Sequence, residues 1–134
     1  MNLVSIRIIT TEVKKLVEFY EQVTGIAGIL YTPDFAEIKT ASATLAIGSI
    51  RTLQFFGGDG VAEAASNRST IIEFLTNDVD ADYTRLAEFL NDAILQKPTL
   101  MPWGNKSFLF RDPDGNLINL FTPVSAEALQ KFKI

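Results

Sequence analysis

The sequence predicts an α+β fold made of two βαβββ modules, which form a curved mixed sheet with helices on the outside. Three observations support it. A β-rich segment followed by an amphipathic helix occurs near the N-terminus and recurs in the second half. Short β-rich segments follow each helix. The tetrapeptide Asp112-Pro113-Asp114-Gly115 predicts a hairpin turn between the last two strands. The sheet face without helices would enclose a cleft.

The first module is predicted to span about residues 1–60. Ile6–Thr10 is β-branched and favours a strand. Thr10 or Thr11 is then placed to cap a helix over residues 12–23, with Gly25 at its left-handed stop. Further short strands are expected at residues 27–31, 36–39, 43–47 and 51–56.

The second module is predicted to span about residues 69–123, with a C-terminal helix over 124–134. Thr70–Leu75 favours a strand, and Thr76-Asn77-Asp78 begins a helix. When the sequence is aligned with itself at a shift of 66 residues, Thr10 aligns with Thr76, and at a shift of 67 residues Leu53 aligns with Leu120. This register indicates two half-domains related by a pseudo-twofold axis. The remaining strands are expected at residues 94–100, 107–111 and 117–122.

Composition excludes several classes of function. The chain has 134 residues, a formal net charge of −4, no cysteine and no histidine. One domain with a real core is therefore expected. Disulfides, thiol nucleophiles, Ser-His-Asp triads and His-ligated metals are excluded within one chain.

Charge and hydropathy also limit which partners and which cellular location are expected. The acidic excess is mild and spread along the chain, so neither nucleic acid nor an anionic membrane is an expected partner. The N-terminus lacks the pattern of a signal peptide, and no apolar stretch approaches the ~20 residues of a membrane span. The expected location is cytoplasmic.

Three segments resemble the vicinal oxygen chelate superfamily, which includes glyoxalase I, bleomycin-resistance proteins and extradiol dioxygenases. The first strand, followed by Leu16-Val17-Glu18-Phe19-Tyr20 and Thr24-Gly25, is similar to the first module of that family. Phe74–Asp80 is similar to the start of the second module, and Phe108–Leu120 to the closing hairpin. The resemblance implies paired βαβββ modules, often assembled as a homodimer, and many chemistries on one scaffold.

The resemblance also implies four metal-ligand positions, at which the enzymes of the family carry His, Glu or Gln. These positions correspond to Ser5, about Thr52, about Ile71 and Asn119. A divalent cation needs anionic or strongly basic donors, and none of the four supplies one. The sequence therefore predicts no bound metal and no cofactor, which removes the Lewis acid that glyoxalase-type isomerisation requires.

Side-chain alternation along the strands predicts which residues face the cleft. If Ser5 and Asn119 face it, their neighbours two residues away do so too. Trp103, on a loop shaped by proline and glycine, offers a stacking surface at the cleft mouth or packs as a lid. Phe56 is expected in the pocket and Phe55 in the core. The predicted ligand-binding residues are Ser5, Arg7, Thr52, Gln54, Phe56, Glu73, Trp103, Asn119 and Phe121.

Arg7 and Glu73 occupy equivalent places in the two halves, 66 residues apart. Arg7 could anchor an anionic or carbonyl-bearing ligand through its guanidinium fork. Alternatively, Arg7 and Glu73 form an ion pair whose role is structural, since a buried arginine is costly unless it is paired. Both alternatives remain open at the level of sequence.

The function that the sequence favours is metal-independent binding of a small molecule, aromatic or amphiphilic, in the sheet cleft of a homodimer. One alternative is a glyoxalase-like lyase or isomerase that uses a non-standard metal site or Glu73 as general base. Glu73 is the only candidate catalytic residue. A further alternative is a structural or regulatory dimer whose cleft is filled by its own side chains.

Overall fold

A computed structural model describes residues 1–133. The chain divides into two compact units, Met1–Asn67 and the part that begins at Arg68. Each unit contains one four-stranded mixed sheet and one twelve-residue helix, in the order strand, helix, three strands. The predicted α+β fold with two βαβββ modules is confirmed.

In the first unit the strand order is β1-β4-β3-β2, with β1 and β4 parallel and the other pairs antiparallel. The helix packs on β3 and β4. Its buried stripe recurs at the spacing of an amphipathic helix, which covers one face of the sheet. The elements are β1 Ser5–Thr10, α1 Val13–Thr24, β2 Ile29–Thr32, β3 Phe35–Lys39 and β4 Thr44–Ser49.

The two ends of α1 differ in how well they were predicted. Gly25 adopts the left-handed conformation, with φ of 71°, and its N–H donates to the Glu21 carbonyl, as expected. The predicted cap by Thr10 or Thr11 is wrong. Glu12 occupies the N-cap position without a side-chain cap, while the Thr10 hydroxyl accepts from the Glu12 N–H at 3.1 Å.

The strand predicted over residues 51–56 is also wrong. Residues Ile50–Phe55 form a 3-10 helix. The Ser49 hydroxyl accepts from the Arg51 N–H at 3.2 Å and so begins the helix directly where β4 ends. Leu53 therefore has no strand equivalence to Leu120, which lies in β8.

The second unit repeats the arrangement, with strand order β5-β8-β7-β6 and β5 parallel to β8. The Asp78 carboxylate accepts from the Ala81 N–H and caps α2, which packs on β6, β7 and β8. Buried Phe108 and Phe110 face the helix, and Tyr83 packs edge-on against Phe108. The elements are β5 Ile71–Leu75, α2 Val79–Leu90, β6 Ile94–Leu100, β7 Asn105–Arg111, β8 Leu117–Pro123 and α3 Ala126–Lys131.

The predicted hairpin joins β7 to β8. The Gly115 N–H donates to the Asp112 carbonyl, as in a tight turn, and Gly115 has φ of 85°. The Asp112 carboxylate is buried. Its burial is tolerated because it accepts hydrogen bonds from the N–H groups of Asp114 and Asn116 and from the Asn116 side-chain amide. No helix within residues 1–133 is long and apolar enough to span a membrane.

Candidate functional site

In each unit the sheet face opposite α1 or α2 carries some of the predicted site residues, and we call it the open face. In the second unit β5 and β8 run parallel with Glu73 beside Asn119. Their neighbours Ile72 and Ile118 are buried on the helix side. Because successive side chains point to opposite faces, Glu73 and Asn119 both lie on the open face, as predicted.

Glu73 and Asn119 form one hydrogen-bonded pair. The Asn119 side-chain amide donates from Nδ2 to Glu73 Oε2 at 2.9 Å. The orientation of the Asn119 amide follows from this contact: an ionised carboxylate only accepts hydrogen bonds, so the NH₂ group of the amide must face it. Asn119 is 8% exposed, and its Oδ1 is buried without a hydrogen-bond partner within residues 1–133. Glu73 remains exposed.

The implied metal-ligand positions do not fit a divalent metal. The register pairs Arg7 with Ala46 in the first sheet as it pairs Glu73 with Asn119 in the second. Ala46, on β4, is therefore the equivalent of Asn119, and the assignment of that position to Thr52 is wrong. Alanine offers no donor atom, and neither does the side chain of Ile71. Across the described residues, no three His, Cys, Asp or Glu side chains are grouped closely enough to hold a metal.

The open face of the first unit carries an arginine stacked on two aromatic rings. The guanidinium carbon of Arg7 lies 4.6 Å from the ring centre of Phe35 and 5.0 Å from that of Phe56. Phe35 pairs with Gly48 across the sheet. A Cβ atom on Gly48 would lie 3.4 Å from Arg7 Cδ, which places the arginine side chain directly above this glycine. Cation–π attraction thus holds Arg7 in place.

The acidic side chains near this face already have partners. Glu37 accepts from the Tyr31 hydroxyl at 2.8 Å and lies 3.7 Å from Lys39 Nζ. Asp34 accepts from Arg51 Nε at 2.7 Å and from the Ser49 hydroxyl at 2.8 Å. These hydrogen bonds, that of Arg51 first, hold the pKa of Asp34 below its usual range.

Lys39 belongs to the same cluster. Nearby Tyr31 raises the pKa of the Lys39 ammonium group, and Glu37 raises it further. Arg7, in contrast, has no bonded acceptor in the part of the chain that the structure describes.

The other predicted residues are distributed unevenly. Phe56 is 57% exposed and lies beneath Arg7, but not on a strand as expected. Phe55 is 78% exposed, so its assignment to the core is wrong. Gln54 is exposed, and the Thr52 hydroxyl donates to the Ser49 carbonyl.

Three further residues were predicted to contact the ligand. Ser5 is exposed at the start of β1, and Trp103 is 66% exposed in the loop before β7. Phe121 is buried on β8 and packs against Phe132 at 5.2 Å between ring centres. Ligand contact by any of these residues stays a prediction.

Sequence reasoning missed Phe35 and Tyr31. The predicted third strand began at residue 36, one position too late to include Phe35. Alternation with Glu37 and Lys39 would have placed Phe35 on the open face, but its pairing with Gly48 depends on a strand register that composition does not reveal. The Tyr31 ring stacks on Phe35 at 5.9 Å between ring centres.

Comparison with known proteins connects this architecture to solved structures. The chain is similar to a glyoxalase/bleomycin resistance protein/dioxygenase family enzyme from Burkholderia phytofirmans PsJN, with a TM-score of 0.80, 16% identity, and coverage of 92% of this chain and 100% of that chain. It is also similar to a glyoxalase/bleomycin resistance protein/dioxygenase from Nocardioides, with a TM-score of 0.75, 21% identity, and coverage of 94% and 85%. At these identities the likeness establishes the fold.

Sequence comparison adds family membership to the likeness in fold. Uncharacterized protein YraH from Bacillus subtilis (strain 168) is 26% identical over 125 residues, which are 90% of this chain and 98% of that protein. The family model described as the Glyoxalase/Bleomycin resistance protein/Dioxygenase superfamily matches residues 2–120. The match covers both βαβββ modules up to β8, and the chain therefore belongs to the glyoxalase/bleomycin resistance protein/dioxygenase superfamily.

Proposed function

We propose that this protein binds a small organic molecule on the open face of its second unit and does so without a metal. The observation that carries the proposal is the pair formed by Asn119 and Glu73 at an implied metal-ligand position. An amide and a carboxylate are ordinary hydrogen-bonding groups for an organic ligand. One exposed carboxylate beside a neutral amide does not supply the several anionic or strongly basic donors that a divalent cation needs.

The unpartnered oxygen of Asn119 supports a binding role. A buried acceptor without a partner destabilises a protein by about 1–3 kcal/mol, so each instance calls for an explanation. A ligand N–H or O–H group that reaches Asn119 Oδ1 after a small side-chain movement would remove this cost. The exposed Glu73 carboxylate lies beside it and accepts from the same kind of group.

The surroundings of this pair suit an apolar ligand body. Ile71 and Leu75 flank Glu73 on β5 at alternate positions, and both are exposed. Leu117 pairs with Ile71 across the sheet. Apolar surface with a few convergent polar atoms is typical of small-molecule sites. We therefore expect a ligand with an apolar body and at least one hydrogen-bond donor.

Assembly as a homodimer is part of the proposal. β1 and β5 are edge strands of their sheets, and Val4, Ile6 and Ile71 on or beside them are exposed. Exposed apolar residues on an edge strand favour association. Sedimentation equilibrium tests this part directly: a mass of about twice the 14.8 kDa of one chain supports it, and a monomer contradicts it.

Metal addition and a ligand panel test the function itself. We expect the melting temperature of the purified protein to be unchanged by EDTA and by added Zn²⁺, Ni²⁺, Mn²⁺ or Fe²⁺. We expect at least one apolar amine or alcohol to raise it, since a ligand at 100 times its Kd stabilises by about 2.7 kcal/mol. Differential scanning fluorimetry with metal analysis gives both results. A stoichiometric, tightly held metal would overturn metal independence, and a panel without any shift would favour the structural dimer.

A further inference from the structure

We propose that Arg7, Phe35 and Phe56 form a subsite for the carboxylate of an aromatic ligand, and we call these three residues the Arg7 subsite. It lies on the open face of the first unit. This inference rests on the proposed function, because it extends small-molecule binding to the open face of the first unit, but it can fail while that function holds.

The two ring contacts of Arg7 do not use its N–H donors for hydrogen bonds to oxygen. A guanidinium group is planar and carries its five N–H donors in its own plane. Phe35 and Phe56 contact it within 4.6 and 5.0 Å of their ring centres, distances at which a ring attracts a cation. The rings fix the side chain while N–H donors remain for an external acceptor. Two parallel N–H groups match the two oxygens of a carboxylate.

No acceptor within the first unit, Met1–Asn67, uses these donors. Arg51 binds Asp34, Arg85 binds Asp82, and Arg111 donates to the Gly115 carbonyl. Arg7 differs because within residues 1–133 its interactions are the two ring contacts. An arginine that is held in place without an acceptor is preorganised for an anion, which lowers the entropy cost of binding.

The glycine beneath Arg7 contributes to this preorganisation. A Cβ atom on Gly48 would lie 3.1 Å from Thr52 Oγ1 and 3.4 Å from Arg7 Cδ. Any larger residue would therefore push the arginine or the threonine outward. The close approach of Arg7 to the sheet depends on this position, which sequence reasoning assigned to no function.

Local charges favour an anion over a cation. Glu37 is paired with Tyr31 and Lys39, and Asp34 with Arg51, so neither competes for Arg7. Residual positive charge is thus left at the stacked guanidinium, where nothing in the described chain neutralises it.

The exposed aromatic surface argues for a flat ligand body. Tyr31 stacks on Phe35, and both Tyr31 and Phe56 are more than half exposed. A ring attached to the carboxylate can stack on these surfaces while its oxygens meet Arg7. A small inorganic anion would gain the charge contact alone, so benzoate should bind more tightly than inorganic phosphate.

The test uses sodium benzoate with benzamide as the neutral isostere and inorganic phosphate as the alternative anion. NMR titration of the whole chain follows the Arg7 Nε–H signal and the Phe35 and Phe56 ring signals. The variants are R7K, which keeps the charge but loses the fork, and G48V, whose larger side chain would occupy the space beneath Arg7. R85A is the matched control, because that arginine already binds Asp82 on the surface of α2.

We expect saturable shifts with benzoate at the three subsite residues, at least ten-fold weaker binding in R7K and G48V, and unchanged binding in R85A. Benzamide should bind at least ten-fold more weakly than benzoate. Benzoate that causes no shift, or that binds R7K as tightly as the native protein, overturns the subsite. Amines or alcohols from the panel that bind the native protein while benzoate does not would leave the proposed function intact and refute this inference alone. Equal affinity for phosphate would refute the aromatic part.

Discussion

The substitution Asn119→Asp is expected to lower the free energy of unfolding by about 3–5 kcal/mol at pH 8, the largest effect of any single polar change at the site. It removes the Nδ2 donor that bonds Glu73 at 2.9 Å and places a second carboxylate in the same position. Asn119 is nearly fully buried, so the new charge would lie poorly solvated beside a like charge.

The pH dependence of this variant has a definite sign. Burial and the adjacent Glu73 carboxylate disfavour ionisation of the carboxyl introduced at position 119, so the folded state raises the pKa of that carboxyl above the unfolded value of about 4. A group with a raised folded pKa keeps its stability below the unfolded pKa and loses it as the pH rises through the folded value. Urea unfolding at pH 4.5, 6 and 8 should therefore show Asn119→Asp close to the native protein at pH 4.5 and progressively weaker above it.

Asn119→Leu is the matched uncharged control. It removes the hydrogen bond to Glu73, but Glu73 is exposed and can bond to water instead. It also removes the buried oxygen that lacks a partner. The two effects oppose each other, so we expect stability within about 1 kcal/mol of the native protein at every pH. An equal loss in both variants would mean that packing, and not charge, governs this position.

The fold was predictable because its decisive signals are local. Asp112, Pro113 and Gly115 specify a turn by their own side chains and backbone preferences, and the structure shows that turn joining β7 to β8. The apolar stripe of α1 and the glycine at its end likewise depend on neighbours in the sequence. Alternation then placed Glu73 and Asn119 on one face correctly.

The errors arose where local and distant signals compete. Residues 51–56 have an apolar and polar pattern compatible with a strand, but the Ser49 hydroxyl caps a 3-10 helix there. The same segment nevertheless brings Phe56 beneath Arg7, and this is a contact between β1 and a residue that is distant from it in the sequence. Phe35 was missed because its position opposite Gly48 depends on strand register, a non-local property. One of the three residues of the Arg7 subsite was thus outside the reach of sequence patterns.

Gly104→Ala is expected to lower the free energy of unfolding by about 3 kcal/mol, through backbone strain and a steric clash. Gly104 has φ of 91°, and its carbonyl accepts from the N–H groups of Val124 and Ser125. An added Cβ would lie 2.0 Å from Ser125 Oγ, the atom that caps α3 by accepting from the Ala128 N–H. Urea unfolding measures the loss.

Gly115→Ala separates strain from steric conflict. Gly115 has φ of 85°, similar to Gly104, but an added Cβ there would meet nothing within 4 Å. Strain alone predicts a loss of about 1 kcal/mol, so the difference between the variants measures how tightly Gly104 is seated against Ser125. Because Phe132, just beyond α3, packs on Phe121, the clash should also loosen the cover over that part of the open face. Faster proteolysis after residue 124 in Gly104→Ala, but not in Gly115→Ala, is the expected sign; equal rates would show that the clash is relieved without moving α3.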